Sequence, residues 1–103
     1  MGSPILHRPV LLREALEFLK VRPDGTYIDA TLGTGGHGEE ILKVLRQGKG
    51  KLLGIDRDPA ALAHARDRLR EFGEQLIVQH GNFAEIDSLH AAAGLPPADG
   101  LLA

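Results

Sequence analysis

Cysteine and tryptophan are absent from these 103 residues, methionine occurs once, and one tyrosine and three phenylalanines are the only aromatics. Without cysteine there can be no disulfide and no thiolate metal site, which fits a cytoplasmic setting. Charge of one sign is also scarce. Twelve basic residues against 14 acidic ones leave a formal net charge of −2. The chain as a whole therefore has no general attraction for nucleic acid or an anionic membrane, and a nucleic-acid role would need a local basic surface. No apolar run approaches the ~20 residues that span a bilayer. His7, His64, His80 and His90 fall at no metal-ligand spacing, and each reads as a surface or satisfied polar group. The phosphate-cradling GxxxxGK[ST] does not occur, which argues against a nucleotide-triphosphate site.

What is present is 43% hydrophobic residues, enough for one small domain over 1–103. Leu12, Ala15, Leu16 and Leu19 share one face of an opening helix that ends before Pro23. Apolar strands are expected at Thr26 to Ala30, Lys51 to Asp56, Gln75 to His80, and from Gly100 onward. Between them lie three helical patterns. The first runs from Gly36 to about Arg46, with Ile41, Leu42 and Leu45 inward. The second starts at Pro59 behind an Asp58 cap, buries Leu62, Ala65, Leu69 and Phe72, and ends at Gly73. The third is capped by Asn82, with Glu85 as its reciprocal partner, and is lined by Phe83, Ile86, Leu89 and Ala93. Alternating strands and helices predict an α/β fold, a parallel sheet with helices on both faces. Asp99-Gly100-Leu101-Leu102-Ala103 reads as a strand cut short, so a piece of a longer protein is expected.

The densest signal is Tyr27-Ile28-Asp29-Ala30-Thr31-Leu32-Gly33-Thr34-Gly35-Gly36-His37-Gly38. An apolar strand runs into an acid and then into a glycine-rich turn, where open α/β sheets bind ligands. Gly33, Gly35 and Gly36 would let main chain approach a ligand, although a tight strand-to-helix turn without one accounts for glycines alone. Asp56 closes the next strand. A carboxylate there can accept from both hydroxyls of a ribose, and Asp58 is the better helix cap, which would leave Asp56 freer for a ligand. Asp29 would either organise loop amides and bind a ligand ammonium or serve as a structural acid. His37, at a positive helix end, could donate to a bound carboxylate, though it does not read as a catalytic base. Phe83 could lie against an adenine or pack as helix-staple core. Arg66, Arg68 and Arg70 with their neighbouring acids read as a solvated helix face.

His7-Arg8-Pro9-Val10-Leu11-Leu12, the segment Tyr27 to His37, Gly54-Ile55-Asp56-Arg57-Asp58-Pro59, Gly81-Asn82-Phe83 and Asp99 to Ala103 together resemble the bacterial small-subunit ribosomal RNA (cytosine-N4) methyltransferases. The resemblance implies a three-layer, Rossmann-like methyltransferase half with sheet order 3-2-1-4, truncated at strand four, and S-adenosyl-L-methionine as cofactor. It implies that Gly35, Gly36 and His37 meet the methionine part of the cofactor, that Asp56 holds the ribose and that Phe83 flanks the adenine. The partner would be small-subunit ribosomal RNA, methylated on the exocyclic N4 of a cytidine. In the family, the fourth strand continues into an Asp-Leu-Gly-Val-Ser-Ser-like segment that forms part of the target-base pocket. The chain stops before it, so this piece alone is expected to be inactive. Its open sheet edge could also pair with a second copy. The competing expectation is a non-catalytic α/β folding fragment or designed half-domain.

Overall fold

The computed structural model describes residues 20–30, 32 and 36–102, with backbone only for His37, Phe83 and Leu102. The apolar stripe Leu12, Ala15, Leu16 and Leu19 lies outside the described residues.

Four strands, β1 (Thr26–Asp29), β2 (Lys51–Asp56), β3 (Leu76–His80) and β4 (Gly100–Leu102), form a sheet in the order β3-β2-β1-β4. Every pairing is parallel, as the expected order 3-2-1-4 requires. Three α-helices connect them: α1 (Gly36–Leu45), α2 (Pro59–Arg68) and α3 (Ile86–Ala93). From β1 to β3 the chain moves one way across the sheet. From β3 it returns past β2 and β1 to place β4 on the far side. Right-handed crossovers in opposite directions put their helices on opposite faces. The packing follows this rule. Tyr27, Leu52 and Leu76 pack with Ile41, Leu42, Leu45, Leu69 and Phe72 on the α1/α2 face. Ile28, Leu53, Ile55 and Ile77 pack with Ile86, Leu89 and Ala93 on the α3 face. Odd and even strand positions separate cleanly because strand side chains alternate.

Boundaries follow local chemistry. Asp58 accepts from the Ala60 amide at 2.9 Å and Pro59 opens α2, so the expected cap is in place. The Asn82 carboxamide oxygen accepts from the Ala84 amide at 2.9 Å, and Glu85 accepts from the Asn82 amide at 2.9 Å. This reciprocal pair closes a 3-10 turn, Phe83–Glu85, that leads into α3. The second helical pattern differs from expectation in its last turns. The α-helix stops at Arg68, and a 3-10 segment, Arg70–Gln75, carries the chain to β3. Gly73 inside it has φ 58°, which side-chain-bearing residues rarely adopt, and it makes the reversal. Leu69 and Phe72 stay buried regardless, and the Arg46 guanidinium lies 4.5 Å from the Phe72 ring centre.

Gln75, just ahead of β3, ties three segments together. Its carboxamide nitrogen donates to the carbonyls of Leu45 at 2.6 Å, Gly50 at 3.0 Å and Gly48 at 3.3 Å. These are the Leu45 carbonyl at the end of α1, which also accepts from the Gly48 amide at 2.9 Å, and two carbonyls in the turn into β2. Gln75→Leu keeps the size and removes the donor. It is expected to cost about 1–3 kcal/mol, read by urea denaturation, because part-buried carbonyls lose a partner. Unchanged stability would contradict this role.

Candidate functional site

The carboxyl ends of β1, β2 and β3 are bound to one another by main chain. Past β1, the Leu32 amide donates to the Ile55 carbonyl at 3.2 Å, so the residue just ahead of the glycines is tied to the end of β2. Past β3, the Gly81 amide donates to the Asp56 carbonyl at 3.0 Å. The Leu32 side chain is buried and lies over Gly54. A Cβ on Gly54 would sit 2.6 Å from Leu32 Cδ2 and 3.1 Å from Leu32 Cγ. Gly54 is therefore a close-approach glycine in mid-strand, needed because a loop residue fills the space its side chain would take. Leu32 also reaches α1, since a Cβ on Gly38 would meet Leu32 Cδ1 at 3.1 Å. One leucine thus sets the spacing between β2 and the first turn of α1.

Asp56 is half-buried at the end of β2. It shares strand parity with Leu52 and Gly54, so it leaves the sheet on the α1/α2 face, where the Leu32 side chain also lies. Its Oδ1 accepts from the Asp58 amide at 3.0 Å, which fixes the carboxylate over its own turn. The expectation that Asp58 capping leaves Asp56 unengaged is modified accordingly: Asp58 does cap α2, and its own amide holds Asp56. Asp29 is 1% exposed and has the parity of Tyr27, which places it on the same face. Among the described residues no buried side-chain polar atom lacks a partner. His80, opposite Asp56 in the register, bonds through Nε2 to the Arg57 carbonyl at 2.9 Å and further stiffens this corner.

The other candidates fall as follows. Gly36 is the first residue of α1, and His37 is the second. Phe83 begins the 3-10 turn after β3. The side chains of His37 and Phe83, and Gly33 and Gly35 altogether, lie outside the described residues. Asp29, Asp56, the start of α1 and the Asn82 turn thus come to one end of the sheet. Two residues that position the site were not singled out from the sequence. Leu32 carried no signal beyond being an apolar residue among glycines. Asp99 accepts from the Thr26 amide at 2.9 Å and from Arg22 at 2.7 Å, and so aligns β4 with β1. Arg22 is held protonated above its ordinary range by the Tyr27 hydroxyl and the Asp99 carboxylate. A cavity of about 520 Å³ lies away from this end, between α2 and β3.

The sequence pattern of the MraW methylase family matches residues 4–103. The chain belongs to the MraW methylase family. Among curated relatives, it is 45% identical over 96 residues to ribosomal RNA small subunit methyltransferase H of Clostridium botulinum strain Hall, covering 93% of the chain and 30% of that protein. It is 46% identical over 97 residues to the protein of the same name from Heliobacterium modesticaldum, covering 93% and 31%. The chain therefore spans about 30% of the length of the curated relatives it matches. Among solved structures, an RNA methyltransferase from Salinibacter ruber in complex with S-adenosyl-L-homocysteine superposes with TM-score 0.59 at 23% identity, over 78% of this chain and 52% of that one. Precorrin 8W decarboxylase from Methanobacterium thermoautotrophicum superposes with TM-score 0.65 at 17% identity, over 90% and 48%. These two likenesses show the shared fold alone.

Gly54→Ala is expected to destabilise this chain by about 1–3 kcal/mol, because its Cβ would overlap the buried Leu32 side chain and displace it. Thermal denaturation checks it, and a melting temperature equal to wild type would contradict the packing described.

Proposed function

We propose that this chain is the S-adenosyl-L-methionine-binding half of a ribosomal RNA methyltransferase. The intact protein would methylate the exocyclic N4 of a cytidine in small-subunit ribosomal RNA, in the cytoplasm. The observation that carries the reading is Asp56. It is a half-buried carboxylate at the end of β2, on the same face as Leu32, which stands between β1 and the start of α1. The family match and the two curated relatives named for ribosomal RNA support the substrate class.

The donor set fits such a cofactor. The Asp56 carboxylate can take a ribose hydroxyl while its Oδ1 stays anchored by the Asp58 amide. The amides of the first turn of α1, from Gly36, have no partner within the helix and suit the carboxylate of the methionine part. In this reading Gly33, Gly35 and His37 complete that contact, Asp29 orders the loop from beneath, and Phe83 flanks the adenine. When bound, the cofactor supplies a methyl group on a positively charged sulfur. No strong protein base is then demanded of this half, and none of the residues above is assigned that role. What the chain contributes is orientation, since holding the reactants at attack distance supplies much of the rate.

Calorimetry with S-adenosylmethionine tests the site. Weak, saturable binding is expected. Asp56→Asn keeps an acceptor for the Asp58 amide but loses the charge, and it should weaken binding about tenfold or more while stability holds. Equal affinity in the variant would refute the assignment. No methyl transfer to small ribosomal subunits is expected from this chain alone, because it spans about 30% of its relatives' length. Turnover in a tritium-transfer assay would contradict that.

The outer side of β4 pairs with no strand among the described residues, and we propose that a second copy can add to it. Light scattering should then give the mass of two chains at high concentration, and a strict monomer would dispose of the idea.

A further inference from the structure

The opposite edge of the sheet carries a different feature. β3 is the terminal strand, paired only with β2 among the described residues, so its outer main-chain groups face away from the sheet. Beside it lies the cavity of about 520 Å³, within the size range of ligand clefts. One wall is a single stripe of α2 and the turn after it, Ala63, Arg66, Asp67 and Arg70, at the i, i+3, i+4, i+7 spacing of one helix face. The floor is Leu69, Leu76 and Val78. Leu76 and Val78 are the β3 side chains of the α1/α2 face, and both are only partly buried. The helix therefore overhangs the strand edge. A further strand beside β3 would lie under this overhang, with alternate side chains entering the cavity.

The charges define what fits. Arg66 is exposed and has no hydrogen bond or ion pair among the described residues. Arg70 has only a 3.4 Å contact with the exposed Asp67. A second copy docking by its own β3 would bring the same arginines together around a twofold axis, because an isologous contact opposes like with like. A phosphate backbone would meet Asp67 and leave the peptide-spaced donors and acceptors of β3 unused. We propose that β3 and the α2 overhang form a docking groove for an extended peptide of alternating apolar and acidic residues. The peptide adds as a fifth strand with its acidic side chains on the cavity side, their methylene stems over Leu76 and Val78 and their carboxylates against Arg66 and Arg70, and its apolar side chains on the opposite face beside Ile77. The edge hydrogen bonds supply affinity for any strand, and the arginines supply the preference for an acidic one.

The groove is tested on the full chain without cofactor, so the outcome is independent of the methyltransferase reading. The probe is a fluorescent decapeptide alternating valine and glutamate, read by anisotropy, with its lysine counterpart as control. Saturable binding of the glutamate peptide, at least about tenfold tighter than the lysine peptide, is expected. The charge reversal Arg66→Glu/Arg70→Glu, on exposed positions, should invert the preference. N-methylation of alternate peptide bonds along one edge of the probe should abolish binding. Absence of saturable binding, equal affinity for both peptides, indifference to N-methylation, or displacement of the probe by a single-stranded oligouridylate would each overturn the proposal. Crosslinking of β3 to β3 of another copy, in place of the peptide, would do so as well.

Discussion

Between β1 and the start of α1, Leu32 is fixed to the sheet by its main chain and by its side chain. Leu32 donates its amide to the Ile55 carbonyl and lays its side chain over Gly54, and it also touches the first turn of α1 at Gly38. Glycines alone cannot hold a loop, because they gain no packing energy and lose the most entropy on ordering. A buried leucine among them adds a burial free energy of about 1.5–3 kcal/mol and a fixed point. That point lies between Gly54 of β2 and Gly38 of α1, so it spaces the helix from the strand.

Asp56 shows how a structural and a binding role can share a carboxylate. Its Oδ1 is held by the Asp58 amide in the short turn before α2, and Asp58 in turn caps that helix. An exposed acid free to rotate would have to be ordered when it met a ligand. An acid already fixed by its own turn has lost that entropy during folding, which leaves more of the interaction for binding. The His80 bond to the Arg57 carbonyl and the Gly81 bond to the Asp56 carbonyl brace the same corner from β3.

Most of the architecture was legible in the sequence because it is local. β2 runs from Lys51 to Asp56 as expected, since an apolar run sits between Gly50 and an Asp-Pro helix start. The Asn82–Glu85 pair spans three residues and reads directly as a cap. The sheet order came from the family resemblance, and the fold has it. What was not legible is non-local. Leu32 meets Gly54, Gln75 meets the carbonyl of Leu45 thirty residues away, and Asp99 meets Thr26 across a separation of 73. None of these pairs leaves a periodic trace. The early stop of α2 was missed for a related reason. The stripe Leu62, Ala65, Leu69 and Phe72 fits an α-helix, and a 3-10 segment buries the last of those side chains equally well.

The account rests on the Leu32 brace, and amide hydrogen exchange at Leu32 tests it most directly. A loop amide that is bonded to Ile55 and sealed by its own side chain should open only with the sheet. Its protection should then equal that of the Leu53 amide in β2, where exchange reports global unfolding. If the Leu32 amide instead exchanges at the rate of an exposed loop, the brace does not exist, and Leu32 is not held against the end of β2.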